Sequence, residues 1–68
     1  MNGIASQGRI KFLKVKEGYG FVVHHESQYD IMFEVSALLD QVAPGDEVAF
    51  TIVETEKGLR ATEIRKQQ

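Results

Sequence analysis

The sequence has no cysteine, no tryptophan and a single proline in 68 residues. Without cysteine there is no disulfide framework and no thiolate metal site, which fits a reducing compartment such as the cytoplasm. There is no long apolar run either. A helix needs ~20 consecutive apolar residues to span a bilayer, and the N-terminus lacks the charged-then-apolar order of a signal peptide, so no membrane partner is expected. Positive charge is not in excess: 8 Lys and Arg face 10 Asp and Glu, for a net charge of −2. On charge alone a nucleic-acid partner is disfavoured, because such domains are often basic. No Ser/His/Asp grouping, cysteine nucleophile or phosphate-cradling glycine loop with a lysine is present. Gly18 and Gly20 precede no helix, so neither an enzyme nor a nucleotide cofactor is expected. His24 and His25 are adjacent, and on a strand they point to opposite faces. They cannot share one ion without distortion, so no metal is expected, and a solvated strand end or a modest phosphate contact is the simpler role.

What is present describes one small β domain. Hydrophobic residues make up 43% and charged residues 26%, a globular balance, and a chain this short buries only about 60% of its unfolded surface. "MNGIASQ" has no periodic pattern and reads as a loose start over residues 1–7, with the folded domain over 8–66. Strands are expected in "GRIKFLK", "YGFVVHH", "IMFEV", "EVAFTIVE" and "LRATEIRK". In the third, Ile31, Phe33 and Val35 share one face; in the fourth, Val48, Phe50 and Ile52 alternate with Ala49, Thr51 and Val53. "SALLDQV" is long enough for one helical turn capped by Ser36, and Pro44-Gly45 suits the middle of a type II turn. Five short strands separated by turn signals point to an all-β fold, and at this length a closed barrel removes most edges.

The stretch "EGYGFVV" sets Tyr19 and Phe21 on one face of a strand and Gly18 and Gly20 on the other. An aromatic pair in a β protein is ordinarily core. Here the interior is already filled by Ile10, Val22, Ile31, Phe33, Val48, Phe50, Ile52, Ala61 and Ile64, with Gly20 on the inward side beside Val22. Tyr19 and Phe21 are left outside, next to Phe12, and Arg9, Lys11, Lys14 and Lys16 edge the patch. For Lys11 and Phe12 to share that face, the first strand needs a bulge. Exposed rings with cations around them suit single-stranded nucleic acid, since any base stacks on an aromatic ring at about 1–3 kcal/mol while cations follow the phosphates.

These residues resemble a known family. "GRIKFLKVKEGYGFV" is similar, without a gap, to the start of a bacterial cold-shock domain, typically G-x-V-K-W-F-N-x-x-K-G-F-G-F-I. "DIMFEVSAL" resembles D-V-F-V-H-F-S-A-I at the same offset. "PGDEVAFTI" and "KGLRATEI" resemble E-G-Q-x-V-x-F-x-I and K-G-P-x-A-x-N-V. The resemblance implies a five-stranded antiparallel Greek-key barrel of the OB type that binds single-stranded RNA or DNA, commonly as an RNA chaperone or a transcription or translation modulator. It carries Lys11, Phe12, Tyr19 and Phe21 onto nucleic-acid-contacting positions, and Met32, Glu34 and Val35 onto altered ones.

The departures matter. Glu17 stands where the first motif has lysine. Met32 and Val35 replace phenylalanines, Glu34 replaces histidine, Leu13 replaces a frequent aromatic, and the segment after Leu38 is shortened. A weaker binder of single-stranded RNA, or less preferably DNA, with a shorter footprint is expected. Met32 keeps a soft sulfur contact, and Glu34 can accept from base amino groups. Lys57 and Arg60 contribute charge at most. A monomer is expected, with strand exchange through Asp40–Gly45 as the route to a dimer. The competing reading is a barrel for protein contact or self-association, using Tyr19, Phe21, Met32 and Val35 as an apolar patch.

Overall fold

A computed structural model describes residues 3–67. Alternating side chains shape the chain into β1 (Ile4–Lys14), β2 (Tyr19–His24), β3 (Asp30–Glu34), a 3-10 turn η1 (Val35–Ala37), β4 (Glu47–Thr55) and β5 (Gly58–Lys66). The strands close a barrel in the order β1-β2-β3-β5-β4. Among the described residues no helix is long and apolar enough to cross a membrane.

β1 serves both of its neighbours. Its first half pairs with β4, from Ile4 opposite Ile52 to Arg9 opposite Glu47. Its second half pairs with β2, from Gly8 opposite His24 to Lys14 opposite Tyr19. Gly8 sits where the two pairings overlap; a Cβ there would lie 2.1 Å from the Val23 carbonyl oxygen, so any side chain would force the sheets apart. Every ladder is antiparallel except the closing one, in which β3 meets β5 in parallel through Met32 opposite Arg60. The barrel is thus the five-stranded antiparallel OB type expected, with one parallel contact at the seam that closes it.

The core holds Ile10, Val22, Ile31, Phe33, Val48, Phe50, Ala61 and Ile64, all from the expected set, with Ile52 half-buried against them. Two more valines are buried. Val42 lies in the irregular segment before β4, where no periodicity marks it. Val23 lies on β2 between Arg9 and Asp30 of the flanking strands.

Three local expectations are corrected. Ile4–Gln7, read as part of a loose start, form the first turnings of β1. They are mostly exposed and are held by backbone pairing to β4, which leaves no alternation to read; Met1 and Asn2 lie outside the described residues. Val35 does not extend β3. It opens η1, and its N–H donates to the Gly18 carbonyl at 2.9 Å. Ser36 is inside that turn rather than capping it, and Glu34 at the cap makes no side-chain capping bond.

The segment after η1 is tied down at both ends. Leu39 N–H donates to Ile64 at 2.8 Å, Lys66 N–H donates to the Asp40 carboxylate at 2.8 Å, and Gly45 N–H donates to Ile10 at 2.8 Å. The Pro44-Gly45 turn closes with Asp46 N–H donating to Ala43 at 3.0 Å, and Gly45 takes the φ of 92° that type II requires.

Candidate nucleic-acid interface

The outer face of β1–β3 is built by a bulge. Ile10 pairs with Val22, but the next matched pair is Phe12 with Phe21, leaving Lys11 without an opposite number. Without that extra residue, Phe12 would share the inward side of Ile10 two positions earlier. With it, Phe12, Phe21, Tyr19 and Lys14 face outward, and Leu13, opposite Gly20, packs against the core. Leu13 is thus half-buried on the core side of the strand and faces away from the rings.

Gly20 explains the glycine between the rings. It is buried, and a Cβ there would lie 2.6 Å from the Phe33 ring and 2.6 Å from the Phe12 carbonyl oxygen. The largest fully buried side chain, Phe33, occupies the space this glycine leaves. The strand gives up a side chain inside, and its aromatic residues are then displayed outside.

The three rings form one cluster. Phe12 and Phe21 have centroids 5.1 Å apart at 46°, Phe12 and Tyr19 6.3 Å at 81°, and Tyr19 and Phe21 6.1 Å at 79°. Tilted and edge-to-face pairs of this kind are worth about 0.5–1.5 kcal/mol beyond their burial. Each ring is half-buried and none belongs to the core. Lys14 Nζ sits 6.0 Å from the Phe12 centroid, at the edge of cation–π range.

β3 extends this face. Met32 lies opposite Phe21 and Glu34 opposite Tyr19, with Met32 half-buried and Glu34 exposed. The structure therefore brings Phe12, Tyr19, Phe21, Met32 and Glu34 onto one surface. Lys11 borders it, and its ammonium is 2.6 Å from the Asp30 carboxylate. Asp30 is the first residue of β3 and offsets the charge of Lys11. Nineteen residues separate the two, so no local pattern reveals the pair. Val35, in η1, leaves this strand face. Glu17 is exposed in the β1–β2 turn, and Arg60 stands across the seam from Met32.

The histidines turn to separate partners. His24 Nδ1 is 2.7 Å from Ser27 Oγ, and His25 Nε2 is 2.6 Å from Glu47 Oε1. Among the described residues no group of three His, Cys, Asp or Glu side chains is placed to hold a metal ion.

A closed OB-type barrel displaying clustered rings on the outer face of its first three strands defines a class of small β modules. Residues 6–67 match the family model described as the 'cold-shock' DNA-binding domain, and the chain belongs to that family. It is 31% identical to Y-box-binding protein 1 of Xenopus laevis, over 84% of this chain and 22% of that protein. It is equally 31% identical to Y-box-binding protein 3 of Homo sapiens, over 84% of this chain and 18% of that one. The chain thus spans about a fifth of the length of these relatives. Among solved structures, drosophila Unr CSD456 superimposes with a TM-score of 0.81 at 34% identity, covering 94% of this chain and 27% of that one. Apo-CusF from Escherichia coli, at 17% identity, shares the fold with a TM-score of 0.76 over 98% of this chain and 89% of that one.

Proposed function

We propose that the outer face of β1–β3 binds single-stranded nucleic acid, RNA in preference to DNA, and that the domain works as an RNA chaperone or a transcription or translation modulator. One observation carries this reading: three rings cluster on the outside of a barrel whose interior is filled without them. A cluster of large rings left outside a filled core is the kind of apolar patch that marks a binding surface. Phe12, Tyr19 and Phe21 stack on bases, Met32 adds a sulfur contact, and Lys11, Lys14 and Lys16 attract phosphates. The family's description as DNA-binding supports a nucleic-acid ligand. The reading is of a binding module rather than an enzyme, monomeric and cytoplasmic.

Binding is expected to be weaker than a full aromatic platform gives. Met32 supplies no ring, Val35 has left the strand face, and Glu17 repels phosphate. Titration of the tyrosine fluorescence with uridine and thymidine hexamers tests the reading. Saturable quenching, stronger with the uridine hexamer, is expected; no saturable change with either would overturn it.

The protein-contact reading draws on different facts. Asp30 already pairs with Lys11, and Glu17 and Glu34 flank the rings. A mass twice that of the chain by size-exclusion chromatography, combined with no oligonucleotide binding, would favour it.

A further inference from the structure

The parallel seam opens a pocket that the rings do not account for. β3 and β5 touch at Met32 opposite Arg60, and the chain meets β5 again at the Leu38–Ile64 bridge. Between these two contacts the strands part. A pocket of about 290 Å³ lies there, lined by Glu34 and Ser36 on one side and by Arg60, Thr62 and Thr55 on the other. It adjoins the ring surface, because Glu34 pairs across with Tyr19 and Arg60 with Met32.

Its two charges are not spent on each other. The ion pairs among the described residues are Lys11–Asp30, His25–Glu47 and Lys66–Asp46, and none includes Glu34 or Arg60. Glu34 makes no side-chain hydrogen bond among those residues. Arg60 Nη1 donates to the Leu59 carbonyl at 2.9 Å, which fixes the guanidinium beside the β4–β5 turn. Glu34, whose carboxylate only accepts, and Arg60, whose guanidinium only donates, line one cleft together with Ser36 and Thr62, while the Thr55 hydroxyl is held by Gly58 and Lys57 in the turn.

We propose that this seam pocket takes one guanine of the bound strand. The inference rests on the nucleic-acid reading above and adds the base. Guanine presents adjacent donors, N1–H and the N2 amino group, which suit the two oxygens of Glu34. Its O6 and N7 are acceptors, which suit the fork of Arg60. Uracil has no amino group, and adenine lacks an O6 for the guanidinium. Stacking on the neighbouring rings tolerates any base, so discrimination falls to this pocket.

Fluorescence anisotropy with labelled RNA hexamers tests the proposal. One hexamer is all uridine, the second carries a single guanosine, and the third carries inosine in its place. The guanosine hexamer is expected to bind about tenfold tighter than the uridine hexamer, one good bidentate contact's worth. Inosine, which lacks the N2 amino group, should lose most of that gain. E34Q, which exchanges one acceptor oxygen for a donor, should bring the guanosine-to-uridine ratio towards one. F21A should weaken both hexamers together and keep the ratio. A ratio of one in the unmodified protein, or a ratio unchanged by E34Q, would overturn the proposal while leaving strand binding intact. Failure of every hexamer to bind would overturn the nucleic-acid reading, and this inference with it.

Discussion

At the scale of single residues, Tyr19 and Phe21 are the positions at which binding and stability are expected to separate. Each is half-buried and outside the core. Tyr19→Ala or Phe21→Ala is expected to weaken binding of a uridine hexamer by about 1–3 kcal/mol. The stability loss should be near the worth of the lost ring contacts, about 0.5–1.5 kcal/mol. Parallel fluorescence titration and thermal unfolding check both. Glu17 works in the opposite direction. It is exposed in the turn beside the rings, and Glu17→Lys exchanges a repelling charge for an attracting one. Tighter binding is expected, with the slope of log K against log salt steeper by about 1. Glu63 is a strained residue away from the rings: its φ is 52°, in the left-handed region, where a non-glycine residue costs roughly 1–2 kcal/mol. Asparagine tolerates that region. Glu63→Asn is expected to stabilise by about 1 kcal/mol, a rise in Tm of about 4–8 °C for a domain this small, measured by calorimetry. Some of this scale was legible in the sequence. The conflict between Ile10, Lys11 and Phe12 demanded a bulge, and the bulge is there. The Lys11–Asp30 pair was not legible, because it joins two strands through the tertiary fold.

At the scale of elements, the interior and exterior of β2 depend on each other. Gly20 leaves room for the Phe33 ring, and the same backbone carries Tyr19 and Phe21 outward. Gly20→Ala places a methyl 2.6 Å from a backbone oxygen of β1 and from that ring. Overpacking of this kind costs about 1–3 kcal/mol, so chemical denaturation should show a lowered midpoint. Binding should weaken too, as β1 moves away from β2 and Phe12 from Phe21. Elements with one buried face were readable. Val48 and Phe50 of β4 are core residues, as their spacing implied, and Ala61 and Ile64 of β5 lie beside them across a register shift in that ladder. Elements held by backbone alone were not. Ile4–Gln7 pair with β4 without burying an alternating face. Val35 continues the Ile31–Phe33 spacing in sequence, yet its N–H bonds to Gly18 and the chain turns into η1. The parallel seam escaped because one matched pair between distant strands has no local signature.

At the scale of the whole molecule, a net charge of −2 argues against a nucleic-acid ligand and the surface argues for one. The resolution lies in how the two terms act. Charge sets the salt-dependent, sequence-blind part of binding; stacking sets a part that salt barely touches. A domain with few unpaired cations beside three clustered rings should depend mainly on the second. The barrel itself followed from strand number and chain length, and five strands do close it. The interface followed only in part, since its charges are modified by partners such as Asp30 that the fold brings in. The most direct measurement is the affinity for a single-stranded RNA hexamer at two salt concentrations, for the unmodified protein and for Phe21→Ala. Saturable binding with a shallow salt slope, weakened at both salt concentrations by loss of the Phe21 ring, is expected. Binding that vanishes with salt and ignores the substitution, or no binding at all, would contradict a ring surface built for bases.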